Sequence, residues 1–392
     1  MPIALRVLLP LPMLCALATS VPAQPPAASM TESKPPTQIG GQSLEEWIKK
    51  LSDPDPSTKD AAIRVVPLFG PPARKAIPKI TSLMRDTDNT VRVSALRAVT
   101  SFPYDDQKMI DAVVKNVEEM LRTSTQTAIR IQAALAAARL GSHAKSTIGP
   151  LCDHTIKDQS SYEVRRAAAV ALGQVGFDEK SYPDKRALSS LLLALSDPAV
   201  VVRLEVLKSL LYLGAPGTLE GADAERKSLM QRLELKSAKH EPDPAMQLVI
   251  RGIIIRLDSV LLGIPEEQLA SEGAKRERKE AVTRTAKYLD EIAKELTSSK
   301  SGMRVTAADV IGVLDKAGLS KVNNLVDGLR KEEDKAENYE FMAHCMYAIG
   351  NLGPDAKLPA ETRIKELTMH SDPTLKEIAK DTLNRLQGLK KK

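Results

Sequence analysis

The sequence predicts an all-α protein, an α-solenoid of about nine helix pairs. Three observations predict it. One residue spacing recurs nine times along the 392 residues, at intervals of 33–44 residues with a single interval of 57. Within every copy the apolar residues fall at helical offsets. Aromatic residues are only 3% of the chain while hydrophobic residues are 43%, so Ala, Leu, Val and Ile must supply the core. A repeat of this length marks a stack of helical units, each too small to bury its own apolar face.

Each copy sets an apolar residue before a site that is commonly Arg. The copies start at Thr58-Lys59, Val91-Arg92, Ile129-Arg130, Val164-Arg165, Val202-Arg203, Met246-Gln247, Met303-Arg304, Phe341-Met342 and Leu375-Lys376. The third residue after the site is small or apolar, from Ala62, Ala95, Ala133 and Ala168 through to Cys345 and Ala379. Apolar residues return at the seventh position (Val66 to Leu383) and the tenth (Phe69 to Leu386). These offsets share one face at 3.6 residues per turn, and no period-two alternation of a strand is sustained.

The ends of these helices are readable as well. Asp53-Pro54, Asp197-Pro198, Asp243-Pro244 and Asp372-Pro373 lie just upstream of four of them. Asp accepts from free amides at a helix start, and Pro at the first helical position forfeits no bond. Gly70, Gly141, Gly176, Gly214 and Gly353 lie eleven residues after the site, where a left-handed residue closes a helix. A second apolar-periodic stretch precedes the repeated helix: Leu44, Trp47, Ile48 and Leu51; Ile77, Ile80, Leu83 and Met84; Leu188, Leu191, Leu192 and Leu195. Each copy therefore reads as a helix–turn–helix pair.

The run from Tyr162 through Arg165, Ala168 and Leu172 to Gly176 resembles the bacterial HEAT-repeat consensus. So does Asp197 to Arg203 followed by Leu210 and Leu213-Gly214. The resemblance covers residues 42–388. It departs from the pattern in copies six to eight, where Gln247 and Met342 replace Arg and Asp258 and Asp315 replace Gly. Asp53, Asp86 and Asp197 each stand six residues before their site. By themselves they read either as a row of carboxylates for a cation or basic partner, or as caps with local pairing. The resemblance implies the second: a structural ladder between neighbouring repeats, formed with Arg92, Arg130, Arg165, Arg203 and Arg304.

Residues 1–23 read as a signal peptide. Arg6 is the positive start, Val7 to Ala18 the apolar segment, and Val21-Pro22-Ala23 the cleavage site, so the mature chain begins near Gln24. About a dozen apolar residues fall short of the ~20 that span a bilayer, so no membrane span is expected in the mature chain. The expected location is exported, periplasmic or extracellular. Residues 24–41 read as a flexible Pro/Ala/Ser-rich linker, 42–388 as the array, and 389–392 as a basic tail. Residues 259–280 fall in the long interval and read as an irregular or inserted segment, or as an elongated first helix.

Loss of residues 1–23 leaves 55 cations against 50 acids, a net +5. That is slight for a nucleic-acid binder. The run Lys275-Arg276-Glu277-Arg278-Lys279 is diluted by Glu272, Glu277 and Glu280 and lacks interleaved aromatics. Cys152 and Cys345 sit in distant copies, too far apart for a disulfide. Cys345 next to His344 reads as a core thiol, because sequence neighbours on a helix point about 100° apart. Cys152 and His154 supply two ligands where a structural zinc wants four. No nucleotide loop, hydrolase elbow or metalloprotease motif is present. No catalytic, cofactor or metal residue is therefore expected.

The function this supports is an exported, non-catalytic scaffold or adaptor that binds another protein, with Arg166, Gln174 and Glu205 as candidate contacts. The alternatives are an accessory protein like the bilin lyases, or a weak binder of anionic polymers or surfaces.

Overall fold

The computed structural model describes residues 35–102, 106–177, 184–213, 227, 229–231, 233, 243–269, 271–332 and 334–389. The expected signal peptide, residues 24–34 of the expected linker, and Lys390 to Lys392 of the expected tail lie outside this set. The described residues fall into two compact units, the first ending at Leu213 and the second comprising the rest.

The N-terminal unit opens with a two-stranded hairpin, Gln38–Ile39 against Gln42–Ser43, at the edge of the expected linker. Trp47 ties it down by donating its indole N–H to the Ile39 carbonyl at 2.9 Å. Helix α1 (Leu44–Lys50) follows, capped by Ser43 and Glu46 in a reciprocal box. Then come α2 (Pro56–Val65), α3 (Ile77–Leu83), α4 (Asn89–Val99), α5 (Gln107–Thr123) and α6 (Thr127–Leu140). The short α7 (Ile148–Pro150) runs on into a π turn, Leu151–Thr155. Helices α8 (Tyr162–Val175), α9 (Lys185–Ala194) and α10 (Val200–Leu213) complete the unit. The repeated second helices are α2, α4, α6, α8 and α10, and each packs on the next.

In the C-terminal unit, Leu229, Met230 and Leu233 are buried helical residues. They precede α11 (Pro244–Leu262) and α12 (Glu272–Lys294). Next are α13 (Ser301–Gly312), α14 (Asp315–Leu319), α15 (Val322–Lys331), α16 (Tyr339–Leu352), α17 (Lys357–Leu367) and α18 (Pro373–Leu386). Here α11, α13, α16 and α18 are the successive second helices. All nine predicted second helices are thus present, in the predicted register.

The core follows the offsets. Every residue at the third position, Ala62 to Ala379, is at most 1% exposed. Small side chains there let the paired helices close on each other. Glycine extends the device to neighbouring second helices. A Cβ at Gly173 would lie 3.0 Å from the Ser209 Cα, and one at Gly312 would lie 2.6 Å from the Ala348 Cα. Both glycines are eight residues after the site, and both partners are six after the next site. Ser209 and Thr382, at the sixth position of their copies, donate hydroxyls to the Ala169 and Met346 carbonyls of the preceding second helix, at 2.7 and 3.1 Å.

Several end signals act differently from expectation. Asp243 and Asp372 cap their helices as predicted. The cap of α2 is Asp55, with Pro56 at the first position, not Asp53-Pro54. Gly70 and Gly353 take positive φ, but with ψ of −143° and −160°, a region open to glycine alone rather than the left-handed helical one. The backbone there swings into a 3-10 turn that feeds the next first helix. Gly176 has φ −75° and is needed for space instead: a Cβ would lie 2.9 Å from that of Ala187.

The two Asp departures also have physical causes. Asp258 ends no helix, because α11 runs on for another turn. Its carboxylate is wholly buried and takes a two-pronged bond from Arg284 of α12, at 2.9 and 2.6 Å. Asp315 does stand where glycine stands elsewhere, and it adopts φ +50°. The 57-residue interval is filled by α11 and α12, of 19 and 23 residues, and a single 3-10 turn between them.

Two outcomes follow. Gly312→Ala should destabilise the protein by about 1–3 kcal/mol through overpacking. Gly302→Ala, with nothing within 4 Å of its Cβ, should stabilise it by up to about 1 kcal/mol through helix propensity. Urea unfolding of the two variants checks the opposite signs. Arg284→Met should cost about 3–5 kcal/mol by removing the two-pronged partner of a buried carboxylate, and adding Asp258→Asn should restore part of that loss.

Candidate functional site

Two sets of side chains organise the second helices of the N-terminal unit. One set lies in the turns that lead into them. Asp53, Asp86, Asp158 and Asp197 each accept the amide two residues on, at 2.8–2.9 Å, which shapes the turn. Three of the four also pair with a cation of the preceding second helix. Lys59 reaches Asp86 at 2.5 Å, Arg130 reaches Asp158, and Arg165 reaches Asp197 at 2.6 and 3.0 Å. Arg165 and Arg203 also donate back to turn carbonyls before their own helices, Asp158 and Asp197, at 2.9 and 3.0 Å. Arg165 thus staples its own turn to the next one. In the C-terminal unit Arg304 bonds the Ser298 carbonyl at 3.3 Å and meets Glu332 at 3.6 Å.

The members implied by the resemblance are not equivalent. Asp53 begins the array and has no cation partner among the described residues. Arg92 bonds Asn89 of its own helix, and the residue six before the next site is Ser124, which offers no carboxylate. Asp158 escaped the sequence reading because it stands seven residues before Arg165, not six; its Asp-x-Ser turn was the signal. In the last copy His370 takes the Asp place, and its Nδ1 accepts the Asp372 amide at 3.0 Å.

Burial pushes the Asp86 and Asp197 carboxyls up, but it is outweighed. Lys59 and the Asp88 amide hold Asp86 below the ordinary carboxylate range, as Arg165 and the Ala199 amide do for Asp197. The Asp197 bond raises Arg165 in turn.

The second set faces solvent. Counting from the site of each copy, the first, fifth and ninth residues form a stripe along every second helix. On α2 and the turn after it these are Asp60, Arg64 and Leu68. On and after α4 they are Val93, Arg97 and Ser101. On α6 they are Ile131, Leu135 and Arg139; on α8, Arg166, Val170 and Gln174; on α10, Leu204, Lys208 and Tyr212. None of the fifteen is buried. Five adjacent helices therefore present one continuous accessible face. In the C-terminal unit half of the corresponding residues are buried, including Leu248, Arg256, Val305 and Asp381.

The three candidate contacts divide on this face. Arg166 and Gln174 belong to the stripe. Glu205 does not: it stands at the second position, is 3% exposed, and accepts from Arg166 at 3.2 Å. The helix-to-helix approach that packs α10 on α8 covers it, so its role is to hold Arg166. Similar links join the other helices. Ser94 bonds Asp60, Arg97 bonds the Gln132 carbonyl oxygen at 3.0 Å, and Arg139 bonds the Thr100 hydroxyl at 3.1 Å.

The remaining chemistry-bearing residues are placed elsewhere. Cys345 is fully buried, which pushes its thiol well above the usual range, and the adjacent His344 turns its Nδ1 to Asp309 at 2.5 Å. Cys152 is buried too, and burial raises its thiol. Among the described residues no three His, Cys, Asp or Glu side chains gather as a metal site. No described helix is long and apolar enough to cross a membrane. An open cavity of about 600 Å³ is lined by α12 residues Arg276, Lys279, Glu280, Thr283, Arg284, Lys287 and Tyr288. Its charge is divided: Arg276 leans on Glu280 at 3.3 Å, and Arg284 is committed to Asp258.

Stacked helix pairs, tied turn to turn and presenting their second helices to solvent, define an α-solenoid. Residues 44–119 and 114–211 match the family model for HEAT repeats, so this stretch of the chain is built of HEAT repeats. No curated protein matches it. Among solved structures it is similar to an engineered protein, with 19% identity over 89% of each chain and a TM-score of 0.42. A designed armadillo repeat protein aligns with 55% of this chain and 99% of its own, at 16% identity and TM-score 0.42. Importin beta aligns with 88% of this chain at 14% identity and TM-score 0.45, and the chain spans about half of its length (49%).

The turn ladder sets an acid dependence. A carboxyl lowered by folding contributes stability above its unfolded value of about 4, and that contribution is lost as pH falls through the lower folded value. Asp197→Asn should therefore cost about 1–3 kcal/mol at pH 7. It should also flatten the loss of stability between pH 5 and pH 2, as thermal unfolding across that range will show.

Proposed function

We propose that this chain is an exported, non-catalytic scaffold that binds another protein on the second-helix face of its N-terminal unit. The observation that carries the reading is the fifteen-position face on α2, α4, α6, α8 and α10, accessible throughout. A protein partner gains affinity from many modest contacts over a broad area, and stacked repeats supply that area without a deep pocket. The ladder ties α2 to α4, α6 to α8 and α8 to α10, and apolar packing holds α4 on α6, so little ordering is required when a partner docks.

Export rests on the sequence of residues 1–23, with cleavage after Ala23. The scaffold reading and the export reading are tested together in the native host. The tagged full-length chain is expressed, cells are fractionated, the exported fraction is crosslinked, and the captured material is identified by mass spectrometry. The expected result is a mature N-terminus at Gln24 and one dominant protein recovered in stoichiometric amount. An intact N-terminus in the cytosol overturns export. A folded bait that recovers no protein partner overturns the scaffold reading.

A further inference from the structure

We infer that His370 is a pH-sensitive latch: a proton taken up by its imidazole releases the turn that leads into α18, while the N-terminal ladder stays closed. The inference is independent of the scaffold reading. It starts from the place His370 occupies. His370 stands six residues before the site of the last copy, as Asp53, Asp86 and Asp197 stand before theirs. Like them it accepts the amide two residues on, from Asp372 at 3.0 Å. A carboxylate accepts such a bond in its ionised form. An imidazole nitrogen accepts it only while that nitrogen carries no proton.

The geometry fixes the tautomer. Nδ1 takes the Asp372 amide, so in the neutral ring the proton sits on Nε2. Nε2 lies 2.9 Å from a carboxylate oxygen of Asp334, in the connection between α15 and α16. The Tyr339 hydroxyl donates to the same oxygen at 2.8 Å, and its ring meets the imidazole edge to face with centroids 5.2 Å apart. His370 therefore joins the lead-in of α16 to the lead-in of α18. Arg165 makes the same kind of turn-to-turn link in the N-terminal unit, with a group that does not titrate near neutral pH.

The ring is enclosed, with the side chain 8% exposed. The titratable groups set against it are Asp334, Tyr339 and its own Asp372. Arg363 of α17 bonds Glu366 and the Leu329 carbonyl instead, and Lys376 of α18 makes no bond to the ring. A proton from water can add only to the Nδ1 lone pair, since Nε2 already holds one. The Asp372 N–H then faces an N–H and must part from it. The imidazolium keeps its partner, because the Tyr339 hydroxyl, followed by the imidazole, holds the Asp334 carboxyl below the ordinary carboxylate range. Asp372 is also the cap of α18, accepting the Leu375 amide at 2.8 Å. Displacement of its backbone loosens that cap, so α18 opens from its first turn.

Imidazole is the side chain whose charge changes between pH 5 and 8. The N-terminal pairs Lys59–Asp86 and Arg165–Asp197 keep both charges over that range, because their carboxyls are held low and their cations lose protons only far above it. Acid should therefore act on the last turn and spare the others.

The test takes the full chain labelled with 15N-histidine and reads the His370 ring by NMR at pH 7.5 and 5.5. Backbone amide exchange is measured at both pH values and normalised to the unfolded chain at each. The expected result is an Nε2–H tautomer at pH 7.5 and a doubly protonated ring at pH 5.5. Normalised exchange of the Asp372 amide should rise by about fivefold or more on acidification. The Ala199 amide, bonded to Asp197 at 2.8 Å, should stay unchanged in the same sample. His370→Asn offers a side-chain oxygen to the Asp372 amide at every pH and should abolish the response, with circular dichroism to check that it folds. The inference is overturned by an Nδ1–H tautomer at pH 7.5, by a ring that takes up no proton down to pH 5.5, or by unchanged exchange at Asp372. It is also overturned if Ala199 opens by the same factor, or if a folded His370→Asn opens as the native chain does, since acid would then act elsewhere. The tautomer and exchange readings on the native chain decide the matter even if the variant does not fold.

Discussion

The close approach of successive second helices is the constraint on which the rest of the structure depends. A helix pair of this size cannot bury its own apolar face, so its stability comes from the neighbouring pair. The small residues at the third position bring paired helices together, and Gly173, Gly312 and the hydroxyls of Ser209 and Thr382 bring neighbouring second helices together. Few aromatic residues are compatible with such short separations. The low aromatic content is thus a consequence of the packing mode, not a weakness of the core.

The ladder of turn carboxylates solves a different problem. Apolar stacking is non-directional and tolerates sliding of one repeat on the next. A cation that bonds the carboxylate of the next turn favours one register. Lys59, Arg130 and Arg165 each reach an Asp that is simultaneously shaping its own turn. The pairs are largely shielded from solvent, so screening removes less of their strength than it would at an open surface. Where the ladder lacks a member, as at Ser124, packing alone maintains the stack. At His370 an imidazole takes over the turn-shaping role and leaves the carboxylate role empty.

With the buried side of each second helix committed to packing, the opposite side is left to other uses. The two units use it differently. In the N-terminal unit the fifteen positions are accessible, five of them cationic and several aliphatic. In the C-terminal unit many of the same positions are spent on burial, and Asp258 with Arg284 places a charge pair inside instead. The difference between an accessible half and a self-packed half follows from which side chains occupy the first, fifth and ninth positions.

Much of this was legible in the amino-acid sequence. Offsets of −1, +3, +7 and +10 located all nine second helices, because burial on a helix is a matter of angle, and angle is a matter of spacing. The Asp243 and Asp372 caps were equally local. What sequence spacing does not contain is the identity of a neighbour's neighbour. Asp158 differs from the other ladder members by one residue, yet the turn absorbs the extra residue and delivers the same carboxylate to Arg130. Glu205 has the composition of a surface residue and lies beneath one, because α10 rests on α8 at that point. Gly176 and Gly70 stand at the same repeat position, one for space and the other for a backbone angle. The sequence by itself determined the helices, their buried faces and the repeat architecture, all set by contacts within a few turns of chain. Only the tertiary structure decided which polar residues meet across repeats and which side chains stay at the surface, since those contacts join residues 26 or more positions apart.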